Sequence, residues 1–227
     1  PRSGARMITL TDVTRLHASA SGPEPILNRV CLDIGAQDRV GVIGGGNSGK
    51  STLIRLIAGA EYPDEGQIER DCVLGWPLGT SFGIHPDLTG AENVRLLANI
   101  AGLDADHAVA FVEDFSELGP YFHRTCVRYS PGMRAQLAFA FSLVGRPDIY
   151  LADEIVSAGD AHFRVKCEAL LDLRLDGAGL FLVTKHTRSL ERFCSRFFAL
   201  VRGALLECET AQEAADMIAL DQSGALA

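Results

Sequence analysis

Two patterns of hydrophobic and polar positions follow one another along the chain. Residues 7–16, 29–34 and 40–43 have the apolar and β-branched composition of strands, whereas residues 52–58 place apolar side chains at helical spacing. From residue 148 onward, short apolar strands and helices alternate again. Since strands that alternate with helices form mainly parallel sheets with covered faces, the pattern predicts an α/β fold. We expect a mainly parallel core sheet and an N-terminal antiparallel β portion.

The middle of the chain has a different periodicity. Residues 89–145 are mostly amphipathic at the helical period, which predicts a helical subdomain inserted between two α/β halves. The chain as a whole, residues 1–227, is expected to form a single domain. Turn-forming residues predict a loop at 21–25 and a turn at 62–66, and residues 67–75 have the pattern of a short hairpin.

A glycine cluster joins the strand at 40–43 to the helix that follows it. The cluster reads GGGNSGKS and has the spacing of a phosphate loop, Gly44-x4-Gly49-Lys50-Ser51. A triphosphate that approaches the backbone needs small residues, converging N–H groups and the positive end of a helix. A glycine-rich turn with a chance Lys-Ser pair is the other interpretation, and the strand–loop–helix context disfavours it. The nucleoside triphosphate is expected to bind Gly44, Gly45, Gly46, Asn47, Ser48, Gly49, Lys50, Ser51 and Thr52.

Two carboxylates follow a later apolar strand. The segment IYLADE ends in Asp153 and Glu154, downstream of the phosphate loop. Asp153 is expected to hold Mg²⁺ beside the Ser51 hydroxyl, while Lys50 reaches the β- and γ-phosphates. Glu154 is expected to act as the general base that polarises a water for attack on the γ-phosphate. Solvated acids at a strand end are common, but their place after a phosphate loop favours catalysis.

A second anion site is predicted at residues 130–134, which read SPGMR. Ser130 and Gly132 precede a helix that we expect to begin near Met133, with Arg134 in its first turn. A serine hydroxyl and the free N–H groups of a helix N-terminus bind anions. Since one triphosphate does not need two such anion sites on one chain, we expect a symmetric dimer in which each Ser130 faces the nucleotide of the other subunit.

Composition and charge narrow the possible partners. The formal net charge of −8 argues against a nucleic-acid backbone as a partner. The six cysteines are scattered without a CxxC pair, which suits a reducing compartment and argues against a disulfide framework or a zinc site. No apolar run in the sequence approaches the ~20 residues of a membrane span. We therefore expect a soluble, cytosolic chain.

The order of the motifs resembles that of the ATP-binding subunits of ABC transporters. The motifs are GGGNSGKS, YSPGM, YLADE, SAGD at residues 157–160 and TKH at residues 184–186, and the resemblance extends from about residue 7 to residue 207. Within that family, the segments WPLG, FGIHPDLTGAENV and YSPGMR are similar to those of the ATP-binding subunits of capsular polysaccharide exporters.

The resemblance implies roles for the residues around one nucleotide. Residues Gly44 to Thr52 bind the phosphates of ATP, Ser51 and Asp153 hold Mg²⁺, and Glu154 is the catalytic base. His186 hydrogen-bonds the γ-phosphate and helps to position the attacking water. Taken alone, His186 is better explained as a surface histidine after a strand, but its place relative to the other motifs reverses that interpretation.

The resemblance also implies residues that act between two subunits. Ser130, Gly132 and Met133 form the signature segment that contacts the nucleotide of the other subunit, and Asp160 lies in the loop that links the two sites. The first of the two glycines usual in this signature is replaced by Pro131, which has no N–H. We therefore expect one donor fewer at the dimer interface.

The sequence departs from the family pattern in three further ways. Gly46 and Asn47 stand where Asn and then Gly are more common, and Asn tolerates a positive φ better than most residues. His85 stands where a glutamine normally senses Mg²⁺, and a histidine would add pH sensitivity. The aromatic residue that stacks on adenine is missing, and His17 is the nearest candidate, although a plain surface histidine is equally compatible with the pattern.

The resemblance implies an ATPase subunit that powers export of capsular or related cell-surface polysaccharide. Its cofactors are ATP and Mg²⁺, and its partners are a second copy of itself and integral-membrane transporter subunits, with no nucleic acid. It would lie at the cytoplasmic face of the inner membrane, held there by the membrane subunits. A lipid-linked O-antigen or teichoic-acid exporter is the alternative. A soluble, non-transport ABC ATPase is disfavoured by the acidic charge and by the lack of heptads between Lys50 and Ser130.

Overall fold

The computed structural model describes residues 6–19, 22–78, 83–154 and 161–223. These residues form two compact units, which the chain enters more than once. The first unit comprises Pro1–Leu74, Pro147–Glu154 and Gly177–Ala227, and the second comprises Gly75–Arg146 and Ile155–Asp176. That the two units act as a single domain, as expected from the sequence, stays a prediction.

The first unit contains eight strands and three helices among its described residues. Its strands are β1 (Arg6–Ser19), β2 (Gly22–Gly35), β3 (Arg39–Gly44), β4 (Glu65–Arg70), β5 (Ile149–Asp153), β6 (Gly179–Thr184), β7 (Arg196–Val201) and β8 (Ala204–Cys208). Its helices are α1 (Lys50–Ile57), α6 (Thr187–Phe193) and α7 (Ala211–Gln222).

The larger sheet has the strand order β5-β6-β3-β7-β8. Its first four strands are parallel, and only β8 runs antiparallel to its neighbour, so the expected mainly parallel sheet is confirmed. All six residues of β6 are buried, as is typical of a central strand covered on both faces. Because β3, β5 and β6 are parallel neighbours, the segments that leave their carboxyl ends meet at one edge of the sheet.

The smaller sheet is antiparallel, with the order β2-β1-β4. The long ribbon of β1 and β2 pairs from Arg6 with Gly35 to Ser19 with Gly22. Gly22–Pro25 therefore lie in β2, and the loop expected at 21–25 is wrong for these residues; Pro23 and Pro25 are tolerated there because β2 is an edge strand. The hairpin expected at 67–75 is also wrong, since β4 is a single strand that pairs with β1.

The two sheets and helix α1 share one hydrophobic core. Fully or nearly fully buried side chains come from β1, β2, β3, α1, β5, β6 and β7; they include Val13, Leu27, Val42, Leu53, Leu56, Leu151, Phe181 and Leu200. The helix places its apolar side chains three and four residues apart, so that one face enters this core. The core therefore fixes the start of α1 relative to the ends of the central strands.

The second unit is helical among its described residues. Its helices are α2 (Gly90–Ile100), α3 (Ala105–Ser116), α4 (Pro131–Ser142) and α5 (Ala161–Arg174), with short 3₁₀ turns at Gly119–His123 and Cys126–Arg128. Helix α2 starts with a capping box in which the Thr89 hydroxyl accepts from Glu92 N–H and the Glu92 carboxylate accepts from Thr89 N–H. The Asp104 carboxylate caps α3 in the same position.

Strand β3 carries a glycine where helix α6 approaches it closely. A Cβ atom on Gly41 would lie 2.5 Å from Leu190 Cδ2 and 2.8 Å from Cys194 Sγ. Both residues belong to α6 or its C-terminal cap, and Leu190 is completely buried. Because Gly41 has no side chain, α6 can pack closely against β3. This packing also positions His186, the residue that precedes the helix.

We predict that Gly41→Val destabilises the protein by about 1–3 kcal/mol, because the added side chain overpacks the β3–α6 contact. Equilibrium unfolding in urea measures this loss. The double variant Gly41→Val/Leu190→Ala is the control, since removing the Leu190 side chain makes room for valine. Its loss should be smaller than the sum of the two single losses, and strict additivity would contradict the packing account.

Candidate functional site

The phosphate loop lies between the carboxyl end of β3 and the start of α1. Gly49 has φ of 97°, and a Cβ atom there would lie 2.8 Å from the carbonyl oxygen of Ile26. Asn47 also has a positive φ, 57°, a conformation that asparagine adopts more readily than most residues. The exchange of glycine and asparagine at Gly46 and Asn47 is thus compatible with the loop, since Gly46 has no atoms near its missing Cβ.

The Lys50 ammonium group lies inside the phosphate loop. Its Nζ donates to the carbonyl oxygens of Gly44 at 2.8 Å and Gly45 at 2.5 Å, and to Ser48 Oγ at 3.3 Å. Desolvation lowers the pKa of Lys50, and the negative charges of Glu154 and Asp153 oppose that change. The lysine is therefore partly removed from water at the place where the loop's amides converge, and phosphate oxygens are stronger acceptors than carbonyls for such a charge.

Asp153 and Ser51 meet although they are 102 residues apart. Ser51 Oγ donates to Asp153 Oδ2 at 2.9 Å, from the first turn of α1 to the last residue of β5. A hydroxyl and a carboxylate are the hard oxygen ligands that Mg²⁺ prefers, so this pair fits that ion. Among the described residues no group of three or more His, Cys, Asp or Glu could hold a metal. Two protein oxygens would fill two of the six octahedral positions of Mg²⁺, and phosphate or water oxygens suit the others.

Glu154 is held at the sheet edge by strand β6. Its N–H donates to the carbonyl of Val183, and its carboxylate accepts from Thr184 Oγ1 at 2.6 Å and from the Lys185 N–H at 3.1 Å. Its φ is 67°, which is uncommon for a residue other than glycine and occurs where surrounding contacts impose it. The Glu154 carboxylate is thus fixed in direction before any ligand binds.

Thr184 is a site residue to which the sequence analysis assigned no role. It is completely buried at the end of β6, and its hydroxyl also accepts from the His186 N–H at 3.0 Å. His186 is exposed and precedes the first turn of α6. The sequence signals for Thr184 are its place in the TKH motif and a polar residue that ends a continuous apolar strand. It connects Glu154 with the backbone of His186.

His17 lies beside the phosphate loop. A concave pocket of about 520 Å³ is lined by His17, Ile26 and residues 47–52. His17 is an exposed residue on the β1–β2 ribbon, where it pairs with Glu24. The structure therefore brings together the phosphate loop, Asp153, Glu154, His186 and His17 within the first unit.

The signature segment belongs to the second unit, and its helix begins earlier than the sequence analysis predicted. Helix α4 starts at Pro131 and not near Met133, because Ser130 is its N-cap and accepts from the Met133 N–H at 3.2 Å. Proline suits the first helical position, where the missing N–H has no intrahelical partner. Ser130 and Gly132 are exposed, and capping uses the Ser130 hydroxyl only as an acceptor, so its O–H can still donate to an anion.

His85 also belongs to the second unit. Its side chain is exposed, and its ring Nδ1 accepts from the Asp87 N–H at 3.3 Å. Asp160, the residue expected in the loop that links two sites, lies outside the described residues. In the part of the chain that the structure describes, no helix is long and apolar enough to cross a membrane.

Comparisons with known proteins agree with this geometry. The family model described as "ABC transporter" matches residues 27–157. The chain is 35% identical over 208 residues to the "Capsule polysaccharide export ATP-binding protein CtrD" of Neisseria meningitidis serogroup B. The aligned region covers 92% of this chain and 96% of that protein. It is 33% identical over 185 residues to the "O-antigen export system ATP-binding protein RfbE" of Yersinia enterocolitica, covering 80% of this chain and 77% of that protein.

A solved structure has the same fold. It is the dimeric, post-hydrolysis state of the ATP-binding cassette MJ0796 bound to ADP and Pi, with a TM-score of 0.77 and 25% sequence identity. The likeness covers 88% of this chain and 96% of that one. The expected resemblance and the expected cassette fold are therefore confirmed. The chain belongs to the ABC transporter family, as one of the ATP-binding cassettes that hydrolyse ATP.

Proposed function

We propose that this chain is the ATP-hydrolysing subunit of an exporter that moves capsular or related cell-surface polysaccharide across the inner membrane. The observation that carries the chemical part is the hydrogen bond from Ser51 to Asp153, the neighbour of Glu154, at the edge where the parallel strands β3, β6 and β5 end. The polysaccharide part is supported by the likeness to CtrD, which extends over nearly the whole of both chains.

The phosphate loop binds the triphosphate and neutralises part of its charge. The backbone N–H groups of the loop and of the start of α1, residues 44–52, bind the phosphate oxygens. Lys50 exchanges the carbonyl oxygens of Gly44 and Gly45 for the β- and γ-phosphates. Ser51 and Asp153 hold Mg²⁺, which supplies further neutralisation of phosphate charge. His17, on the same pocket, is the candidate for contact with adenine.

Glu154 acts as the general base of the hydrolysis. It takes a proton from a water as that water's oxygen attacks the γ-phosphorus, and the bond between that phosphorus and the leaving ADP oxygen breaks. Thr184 and Lys185 N–H hold the carboxylate in place, so that little reorientation is needed. His186 helps to position the same water from the end of the neighbouring strand.

Two copies of the chain form the active unit. Ser130, Gly132 and Met133 of one copy contact the nucleotide held by the other. The exposed N-terminus of α4 supports this arrangement, because exposed N–H groups at the start of a helix attract phosphate. The dimeric state of the MJ0796 cassette supports it as well.

Separate integral-membrane subunits carry the polysaccharide. The chain lies at the cytoplasmic face of the inner membrane and is held there by those subunits. The segment His85–Leu88 is the proposed contact with them, since His85 and Pro86 are exposed and Leu88 is partly exposed. An exporter of lipid-linked O-antigen or teichoic acid is the alternative, and similar proteins of both kinds support it.

The base and binding roles predict different defects. Glu154→Gln should keep nucleotide binding and lose about 10²–10⁴-fold in turnover, because glutamine cannot accept the proton. Lys50→Ala should weaken nucleotide binding itself. Equilibrium binding of ATP and release of phosphate measure the two effects, with Glu69→Gln, an exposed glutamate on β4, as the control. Undiminished turnover by Glu154→Gln would remove Glu154 from the base role.

The shared site predicts a dimer that depends on ATP. The Glu154→Gln protein, which binds ATP without consuming it, should double its mass in light scattering when ATP and Mg²⁺ are added. Adding Ser130→Arg should abolish the change, whereas Ser195→Arg, at another exposed serine, should not. A protein that stays monomeric under all nucleotide conditions, with its membrane subunits present, is incompatible with the shared site.

The export role predicts a defect at the cell surface. Cells in which the chromosomal gene encodes Glu154→Gln should lose a surface polysaccharide and accumulate its precursor inside, while Glu69→Gln cells should not. Extraction and chemical analysis of surface glycans measure the loss and identify the class. Loss of O-antigen or teichoic acid with normal capsule would support the alternative exporter, and an unchanged set of surface glycans would contradict the export proposal.

A further inference from the structure

A buried asparagine lies at the centre of the second unit's polar contacts. Asn93, on the first turn of α2, is completely buried. Its Oδ1 accepts from the His85 N–H at 2.7 Å. Its Nδ2 donates to the carbonyl oxygens of Thr89 at 2.9 Å and His85 at 3.0 Å, and it lies 3.3 Å from Leu88 O and from Cys126 Sγ. One amide therefore holds both backbone polar groups of His85.

The segment held by Asn93 is also joined to a second segment. The carbonyl of Pro86 accepts from the Val127 N–H at 2.7 Å, and the carbonyl of Leu88 accepts from the Cys126 N–H at 2.8 Å. Thr89 forms an antiparallel bridge with Thr125. Residues 85–89, here called the sensor segment, are thus paired through their backbones with residues 125–127, which lead into the signature segment that starts at Ser130.

The signature segment has little freedom to move away from this pairing. Tyr129, which directly precedes Ser130, is buried and donates its hydroxyl to the Tyr121 carbonyl at 2.7 Å. Its own carbonyl accepts from Arg134 at 3.0 Å. A Cβ atom on Gly90 would lie 2.6 Å from the Tyr129 hydroxyl, so the start of α2 and Tyr129 are in close contact. Ser130 is therefore connected to the Asn93 contacts through short, buried links.

We propose that Asn93 is a positioning residue that makes the sensor segment and the signature segment move as one body, so that displacement of His85 shifts Ser130. The proposal rests on the proposed function, which assigns membrane contact to the first segment and the partner nucleotide to the second. It adds the residue through which contact with a membrane subunit reaches the shared nucleotide site.

The chemistry of the side chain explains why an amide is needed. A carboxylate at this position keeps an acceptor for the His85 N–H but places a second oxygen against the carbonyls of His85, Leu88 and Thr89. Oxygen facing oxygen in a buried site is repulsive, and neither oxygen of the ionised group can donate. In its ionised form, the Asn93→Asp side chain therefore breaks the link with almost no change in shape. Asn99→Asp is the matched control, because Asn99 is exposed on the same helix.

The test compares local exchange with dimer formation. Hydrogen exchange followed by mass spectrometry should show at least tenfold faster exchange of amides in both the sensor and the signature segments of Asn93→Asp, and in neither segment of Asn99→Asp. In the Glu154→Gln background, Asn93→Asp should weaken ATP-dependent dimerisation at least tenfold while ATP binding to the monomer stays within twofold. General loss of stability would not produce this split, because ATP binding requires a folded first unit.

Two further outcomes decide the proposal. If Asn93→Asp does not fold, Asn93→Ser takes its place, since a smaller hydroxyl admits water to the freed carbonyls. Faster exchange that is confined to the sensor segment, with unchanged dimerisation, would overturn the proposal. Failure of Glu154→Gln itself to dimerise would count against the shared site and not against the link, and the exchange data would then decide whether the two segments move together.

Discussion

The hydrogen bond between Ser51 and Asp153 depends on the alignment of β3 with β5 through β6, and the site depends on this contact. The two residues are 102 positions apart in sequence, with Gly75–Arg146 of the second unit between them, yet their oxygen atoms lie 2.9 Å apart. Parallel strands make this possible, because the segments that follow them all begin at the same edge of the sheet. The phosphate loop, the acidic residues and the Thr184–His186 segment all leave from that edge. The order of the strands therefore determines where the nucleotide site lies, and single residues then determine its chemistry.

The arrangement around Glu154 shows how the sheet orients a carboxylate. A carboxylate at a strand end normally turns into solvent, but here a positive φ and two donors from β6 and its continuation hold it against the neighbouring strand. A carboxylate that is oriented in advance leaves less reorganisation for the proton transfer proposed above.

Most of the nucleotide site could be predicted from the sequence. The residues of the phosphate loop have a fixed spacing, and both the loop and the acidic strand end have clear strand or helix contexts. The N-terminal ribbon could not, because pairing of Ser19 with Gly22 continues a register set by distant residues and carries β2 through Pro23 and Pro25. The predicted start of α4 near Met133 is two residues late, because Pro131 lacks an N–H donor and yet suits the first position of a helix. Thr184 and Asn93 could not be assigned roles, since their importance lies in long-range contacts that no local pattern records.

If the phosphate loop and the end of β5 form one site for Mg²⁺ and a triphosphate, a crystal structure of the Glu154→Gln protein with ATP and Mg²⁺ should show both ligands there. Lys50 Nζ should contact the β- and γ-phosphates in place of the carbonyls of Gly44 and Gly45, and Mg²⁺ should lie about 2.0–2.1 Å from Ser51 Oγ with Asp153 beside it. Phosphates bound outside the loop, or a metal ion distant from both Ser51 and Asp153, would show that the two elements do not form such a site.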